Sequence, residues 1–79
     1  MTRLTLYGTS NCHLCELAKA EVQAFIPFAP MQLELSEVDI VSDDALYEAL
    51  ELKIPLLENA ETGMRIEWPF DTAGILSIL

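Results

Sequence analysis

Apolar positions along the chain change period several times, and each change marks an element. Leu4 to Tyr7 is a short apolar run ended by Gly8, which reads as a strand; Thr9, Ser10 and Asn11 follow as three candidate N-cap residues. From Leu14 the apolar positions Leu17, Ala18, Val22, Phe25 and Ile26 recur at helical spacing while Glu16, Lys19, Glu21 and Gln23 face elsewhere, and Pro27 and Pro30 end the helix. Gln32 to Ile40 predicts a second strand with a slip in its alternation. Met31, Leu33 and Leu35 share one parity and Val38 and Ile40 the other, which a bulge or a late strand start would explain.

Ser42-Asp43-Asp44 caps a second helix with Leu46, Tyr47 and Leu50 as its apolar face, ending near Lys53 before Ile54-Pro55. Pro55 to Glu58 is a short third strand. Asn59 to Gly63 has turn composition, and Met64, Ile66 and Trp68 alternate with Arg65 and Glu67, predicting a hairpin with one buried face. Pro69 breaks that run. Asp71 or Thr72 then caps a last helix carrying Ile75, Leu76 and Leu79, which Gly74 weakens by about 1 kcal/mol. The order is β-α-β-α-β-β-α, an α/β arrangement. The first two strands are expected parallel and the last two antiparallel, in a mixed four-stranded sheet.

At 79 residues and 52% apolar content the chain is expected to form one domain, residues 1–79, with a core that needs no disulfide scaffold. Thirteen acidic against four basic residues give a net charge of -9, which disfavours a nucleic-acid backbone or an anionic membrane as partner. No apolar run reaches the length of a membrane span, and Met1-Thr2-Arg3-Leu4 lacks the features of a signal peptide, so a cytoplasmic monomer is expected.

The chemistry lies in Cys12-His13-Leu14-Cys15, at the mouth of the first strand-to-helix turn. The first N–H groups of a helix have no partner within it and carry partial positive charge, which favours a thiolate there. The thiolate is the nucleophile, and a second thiol one turn along is close enough to attack a mixed disulfide formed at the first. Cys12 is thus expected to attack and Cys15 to resolve. A Cys12–Cys15 bridge closes so short a loop that its value is redox rather than stability. Zinc is the competing reading, but besides the two thiols the chain offers only His13, between them, and scattered carboxylates. His13 is either a solvated turn residue or, when protonated, a group that tunes Cys12.

In these residues the chain resembles the glutaredoxins within the thioredoxin fold, and more narrowly the short bacterial glutaredoxin-like proteins. The resemblance rests on Tyr7-Gly8-Thr9-Ser10-Asn11-Cys12-His13-Leu14-Cys15, on Ile54-Pro55 before the third strand, and on Trp68-Pro69-Phe70-Asp71. It implies a thioredoxin-like, glutaredoxin-type fold, Cys12 as nucleophile and Cys15 as resolving thiol. Ser10, Asn11, His13 and Leu14 complete the active-site loop, and Pro55 matches a cis-proline beside the redox pair. That proline leaves a neighbouring backbone edge free for an extended substrate.

The chain also departs from the family pattern. Family members usually carry Pro and then Tyr after the first cysteine and Lys three residues before it; here these are His13, Leu14 and Thr9. A Gly-Gly pair before the last helix is replaced by Trp68-Pro69, Lys53 stands where Thr is common, and Asp71 matches an Asp that receives the glutathione amino group. Lys53, Ile54, Pro55 and Asp71 are therefore the expected substrate-binding residues, with glutathione as a co-substrate and no bound cofactor or metal. Being an anion, glutathione must approach a surface of charge -9, so weak binding is expected.

The implied activity is thiol–disulfide exchange on protein disulfides or glutathione mixed disulfides in cell redox homeostasis. The alternatives are a non-enzymatic binding module or redox sensor, and a thiolate metal carrier. A helix terminus contributes roughly 0.3 to 1 kcal/mol, about 2 at best, against about 1.36 kcal/mol per pKa unit, so a moderately acidified Cys12 thiol and a reducing rather than strongly oxidising couple are expected. Iodoacetamide alkylation against pH is expected to show Cys12 reacting below the ordinary thiol range of about 8.5; a transition below about pH 5 contradicts this account.

Overall fold

The computed structural model describes residues 1–79. Strand β1 (Thr2–Gly8) is followed by helix α1 (His13–Phe25), strand β2 (Leu33–Asp39), helix α2 (Asp44–Leu50), strands β3 (Leu56–Asn59) and β4 (Arg65–Glu67), and helix α3 (Thr72–Ser77). The sheet order is β2-β1-β3-β4, with β1 parallel to β2 and antiparallel to β3, and β4 antiparallel to β3. This is the expected mixed four-stranded α/β architecture.

β1 is interior and covered on both faces, so Leu4, Thr5 and Leu6 are all buried in succession. Leu4 and Leu6 meet Ala18, Val22 and Phe25 of α1, Ile75 of α3, Ile78, Leu33 and Leu57 in the main core. On the opposite face Ile40, Leu50 and Leu56 form a smaller core with Tyr7, Leu46 and Ile54 packed around it. Two cores on two faces also account for the slip in β2, which needs no bulge. The β1–β2 register runs unbroken from Thr2↔Leu33 to Gly8↔Asp39. Leu35 packs against the main core, Val38 points to the other face by alternation, and Ile40 has left the strand in a 3-10 turn that delivers it to the smaller core.

Several expected core positions lie outside it. Leu14 and Leu17 are 49% and 42% exposed, because α1 buries the adjacent stripe of Cys15, Ala18, Val22 and Phe25. Tyr47 is exposed: in the seven-residue α2 only Leu46 and Leu50, one turn apart, reach the sheet. Met64 belongs to the hairpin turn rather than β4, and Leu76 is exposed while Ile78, beyond α3, is buried in its place. Ile66 and Trp68 do pack on the main core.

Capping is local and strong. Asp43 accepts from the N–H groups of Ala45 and Leu46, and Asp71 Oδ1 from the N–H of Gly74 at 2.9 Å. α1 ends at Phe25, and a 3-10 turn containing Pro27 leads the chain away. The hairpin closes through Asn59, whose N–H donates to Met64 O and whose carbonyl accepts from Gly63, a residue with φ of 79° that glycine adopts without a Cβ clash.

The Asn59 side chain is fully buried. Its Nδ2 donates to Ile78 O at 2.8 Å and its Oδ1 accepts from the N–H of Glu61 at 2.9 Å, tying the end of the chain to the sheet. Asn59→Ala strands the Ile78 carbonyl and the Glu61 N–H, so a loss of about 1–3 kcal/mol is expected in urea unfolding, with the slope unchanged.

Candidate active site

The last residue of β1, Gly8, leaves no room for a side chain. A Cβ built on Gly8 would lie 2.9 Å from the Cys15 sulfur, closer than such contacts occur. The Cys15 side chain therefore rests directly on the end of the central strand. Beyond Gly8 the chain turns through Thr9, Ser10 and Asn11, and Asn11 takes the left-handed conformation (φ 58°) that Asn tolerates better than most side chains.

That turn brings Cys12 itself to the N-cap of α1, in place of the three polar residues that precede it. The Cys12 sulfur accepts the N–H of Cys15 at 3.1 Å, and the Cys12 carbonyl accepts from Glu16. Sulfur thus occupies the place a capping oxygen would hold, against a donor that would otherwise be unsatisfied. His13 and Leu14 lie in the first helical turn rather than in a loop, and both are exposed.

Cys12 and Cys15 are joined as a disulfide with a Cα–Cα distance of 5.2 Å. The two sulfurs differ in access: Cys12 is partly exposed, whereas Cys15 is 9% exposed. An incoming group meets Cys12 first.

Continuing the β1–β3 register one step past Tyr7↔Leu56 sets Gly8 opposite Pro55. Pro55 is buried, and the Ile54-Pro55 peptide is cis, as is Trp68-Pro69. The Pro55 carbonyl accepts from Trp68 N at 3.0 Å, while neither the N–H nor the C=O of Ile54 is hydrogen-bonded within the chain. Beneath this end of the sheet, Tyr7 donates to Glu58 Oε2 at 2.8 Å, and Arg65 Nε donates to Glu58 Oε1 at 3.0 Å, linking β1, β3 and β4. Burial, and then the Glu58 carboxylate that accepts its proton and repels a phenolate, push the Tyr7 hydroxyl above the ordinary phenol range.

The other expected substrate residues are dispersed. A cavity of about 380 Å³ opens beside the disulfide, walled by Thr9, Ser10, Cys12, Glu16, Lys19 and Glu37 among others. Lys53, Ile54, Pro55 and Asp71 do not line it. Asp71 instead caps α3 and borders a separate hollow with Glu67, Pro69 and Phe70. Lys53 is exposed after α2 and is the one cation of four without an ion pair, since Arg3 pairs with Glu34, Lys19 with Glu37 and Arg65 with Glu58. Lys19 and Glu37 carry no signal in the sequence, since no spacing rule connects a helix lysine with a strand glutamate 18 residues on. No three His, Cys, Asp or Glu side chains gather as a metal site.

Residues 3–79 match the sequence model of the Glutaredoxin-like domain family (DUF836). The chain belongs to that family. The X-ray structure of target protein XcR50 from X. campestris is 35% identical over 94% of this chain and 91% of its own, with a TM-score of 0.67. Protein Ne2328 from Nitrosomonas europaea, solved by NMR, is 23% identical over 99% and 91%, with a TM-score of 0.80. Thioredoxin 1 from Thermosipho africanus is 11% identical over 96% and 88%, with a TM-score of 0.62, and shows the shared thioredoxin fold. No curated protein sequence matches the chain.

Because the Cys15 sulfur occupies the space a side chain at position 8 would need, Gly8→Ala forces the disulfide or the strand end to move. A loss of about 1–3 kcal/mol is expected in denaturant unfolding of the oxidised protein.

Proposed function

We propose that this member of the glutaredoxin-like family is a dithiol thiol–disulfide oxidoreductase. The observation that carries the reading is the asymmetry of the pair: a reachable Cys12 sulfur at the N-cap and a shielded Cys15 sulfur bonded to it.

In the reduced protein the Cys12 thiolate attacks one sulfur of a substrate disulfide. A Cys12–substrate bond forms, the substrate disulfide breaks, and the departing sulfur leaves as a thiolate that takes a proton from water. Cys15 then loses its proton to solvent and attacks the Cys12 sulfur. The second substrate thiol is expelled, and the protein is left as the Cys12–Cys15 disulfide. Substrate gains two electrons and the protein loses two; a thiol donor such as glutathione restores the dithiol.

The Cys15 N–H supports the first step, because it faces the Cys12 sulfur and favours negative charge there. The unpaired backbone of Ile54, beside Pro55, supports an extended substrate segment that adds its own hydrogen bonds to the sheet end. Lys53 and Asp71 remain the proposed contacts for the ends of a peptide or of glutathione. The exposed surface around them is poor in cations, which favours protein disulfides over glutathione mixed disulfides. The proposed setting is the cytoplasm, where thiol donors keep such a couple cycling, with the protein acting as a monomer in cell redox homeostasis.

Equilibrating the protein across glutathione redox buffers, with mass readout, is expected to give chiefly the intramolecular disulfide, and Cys15→Ser to accumulate a mixed disulfide at Cys12. A Cys15→Ser protein that forms no mixed disulfide with any thiol donor sinks the enzymatic reading and leaves a binding module that uses the Ile54 edge.

A further inference from the structure

Helix α1 carries two apolar stripes, and only one of them is covered. Cys15, Ala18, Val22 and Phe25 are buried. One residue around the helix, Leu14, Leu17, Glu21, Ala24 and, in the 3-10 turn that follows, Phe28 recur at three- and four-residue spacing, with Glu21 the one polar member. Leu14, Leu17 and Phe28 are 49%, 42% and 83% exposed, and Leu76 of α3, 46% exposed, adds to the same surface. Between the two helices Glu21, Ala24, Phe25, Phe28, Thr72 and Leu76 enclose a groove of about 420 Å³. At about 1.5 Å per residue the stripe runs roughly 20 Å, and its first member stands between the two cysteines.

Charge identifies what fits there. Helix α3 has no charged residue, the one cation of α1, Lys19, is held by Glu37 at 3.1 Å, and Glu21 has no ion pair. The stripe therefore offers apolar contact around a free carboxylate, on a molecule of charge -9. A second copy would bring like charges together, Glu21 among them, and an anionic lipid surface would be repelled. Glutathione, an anion, gains nothing from an apolar surface of this length.

We propose that the α1–α3 groove, together with the exposed Leu17 and Leu14 one and two turns nearer Cys12 on α1, docks a basic, apolar-faced segment of a disulfide-bearing protein, and that this segment presents its disulfide to Cys12. The proposal rests on the oxidoreductase reading and gives it a substrate class: proteins whose disulfide neighbours a Lys- or Arg-flanked amphipathic stretch. Its apolar side chains lie against Leu17, Phe28 and Leu76, and a cation meets Glu21. Contact along the stripe fixes orientation, while the long-range field speeds the encounter.

The probe is a fluorescein-labelled, thiol-free Leu/Lys peptide of amphipathic helical pattern, read by anisotropy at low salt, beside a scrambled peptide of the same composition and a Leu/Glu peptide of the same pattern. Binding of the patterned basic peptide is expected to be about tenfold tighter than either control and to weaken about tenfold in a Leu17→Gln/Phe28→Gln variant. Both replaced side chains are exposed, and an unchanged thermal midpoint verifies the fold. Glu21→Gln is expected to weaken the basic peptide and to flatten its salt dependence.

Equal binding of the scrambled peptide, unchanged binding in the double variant, or self-association of the protein through Leu17 and Phe28 in sedimentation overturns the proposal. Reduction of insulin disulfides, with dithiothreitol as the thiol donor, is measured separately. Its absence removes the oxidoreductase reading while the anisotropy still reports on docking, and its presence with no patterned binding removes the docking alone.

Discussion

Strand β1 must bury both of its faces, and the arrangement of the molecule follows from that. Leu4 and Leu6 on one side require α1 and α3; Tyr7 on the other requires α2 with Ile40, Leu50 and Leu56. Covering one strand from both sides places it inside the sheet, between β2 and β3. Its last residue, Gly8, is then held between two neighbours, with the Cys15 sulfur against its Cα and, by register, Pro55 across from it. The Cys12–Cys15 pair and the proline meet because both abut the end of the central strand.

The same constraint separates the two sulfurs. Cys15 shares the buried stripe of α1 with Ala18, Val22 and Phe25, so the packing that stabilises the helix also shields the Cys15 sulfur. Cys12 lies one turn earlier, at the N-cap, where its sulfur meets the Cys15 N–H and solvent together. Access at one sulfur and shielding at the other thus come from one helix phase, without a charged group dedicated to either. Across the rest of the surface the cations are largely consumed in pairs: Arg3, Lys19 and Arg65 each hold a glutamate. Exposed pairs of this kind contribute little to stability, but they leave the outward field of the protein almost entirely negative.

Much of this was legible in the amino-acid order. Period changes mark all seven elements, Asp43 and Asp71 are the caps their positions suggest, and the Cys12–Cys15 spacing by itself puts two sulfurs one turn apart. These are local matters: helical phase, capping and turn chemistry act over four or five residues, and a linear pattern records them. Even there one choice went against side-chain preference. Ser10 and Asn11 are better capping residues than a cysteine, but the left-handed turn at Asn11 hands the N-cap to Cys12.

What packing alone decided is everything that depends on which face meets what. The parity slip in β2 looks like a defect along the chain and becomes ordinary once Leu35 and Ile40 have separate cores to fill. Leu14, Leu17 and Leu76 carry the hydrophobicity of core residues yet stay at the surface, because helix phase gives the sheet one stripe and no second layer covers the next. The Lys19–Glu37 pair, the Asn59–Ile78 bond and the Gly8–Cys15 contact join residues far enough apart that no local pattern relates them. A sequence determines which side chains each element offers to either side, because that follows from backbone period; which offers are taken is set by close packing in three dimensions, where each buried face excludes every other candidate for the same space.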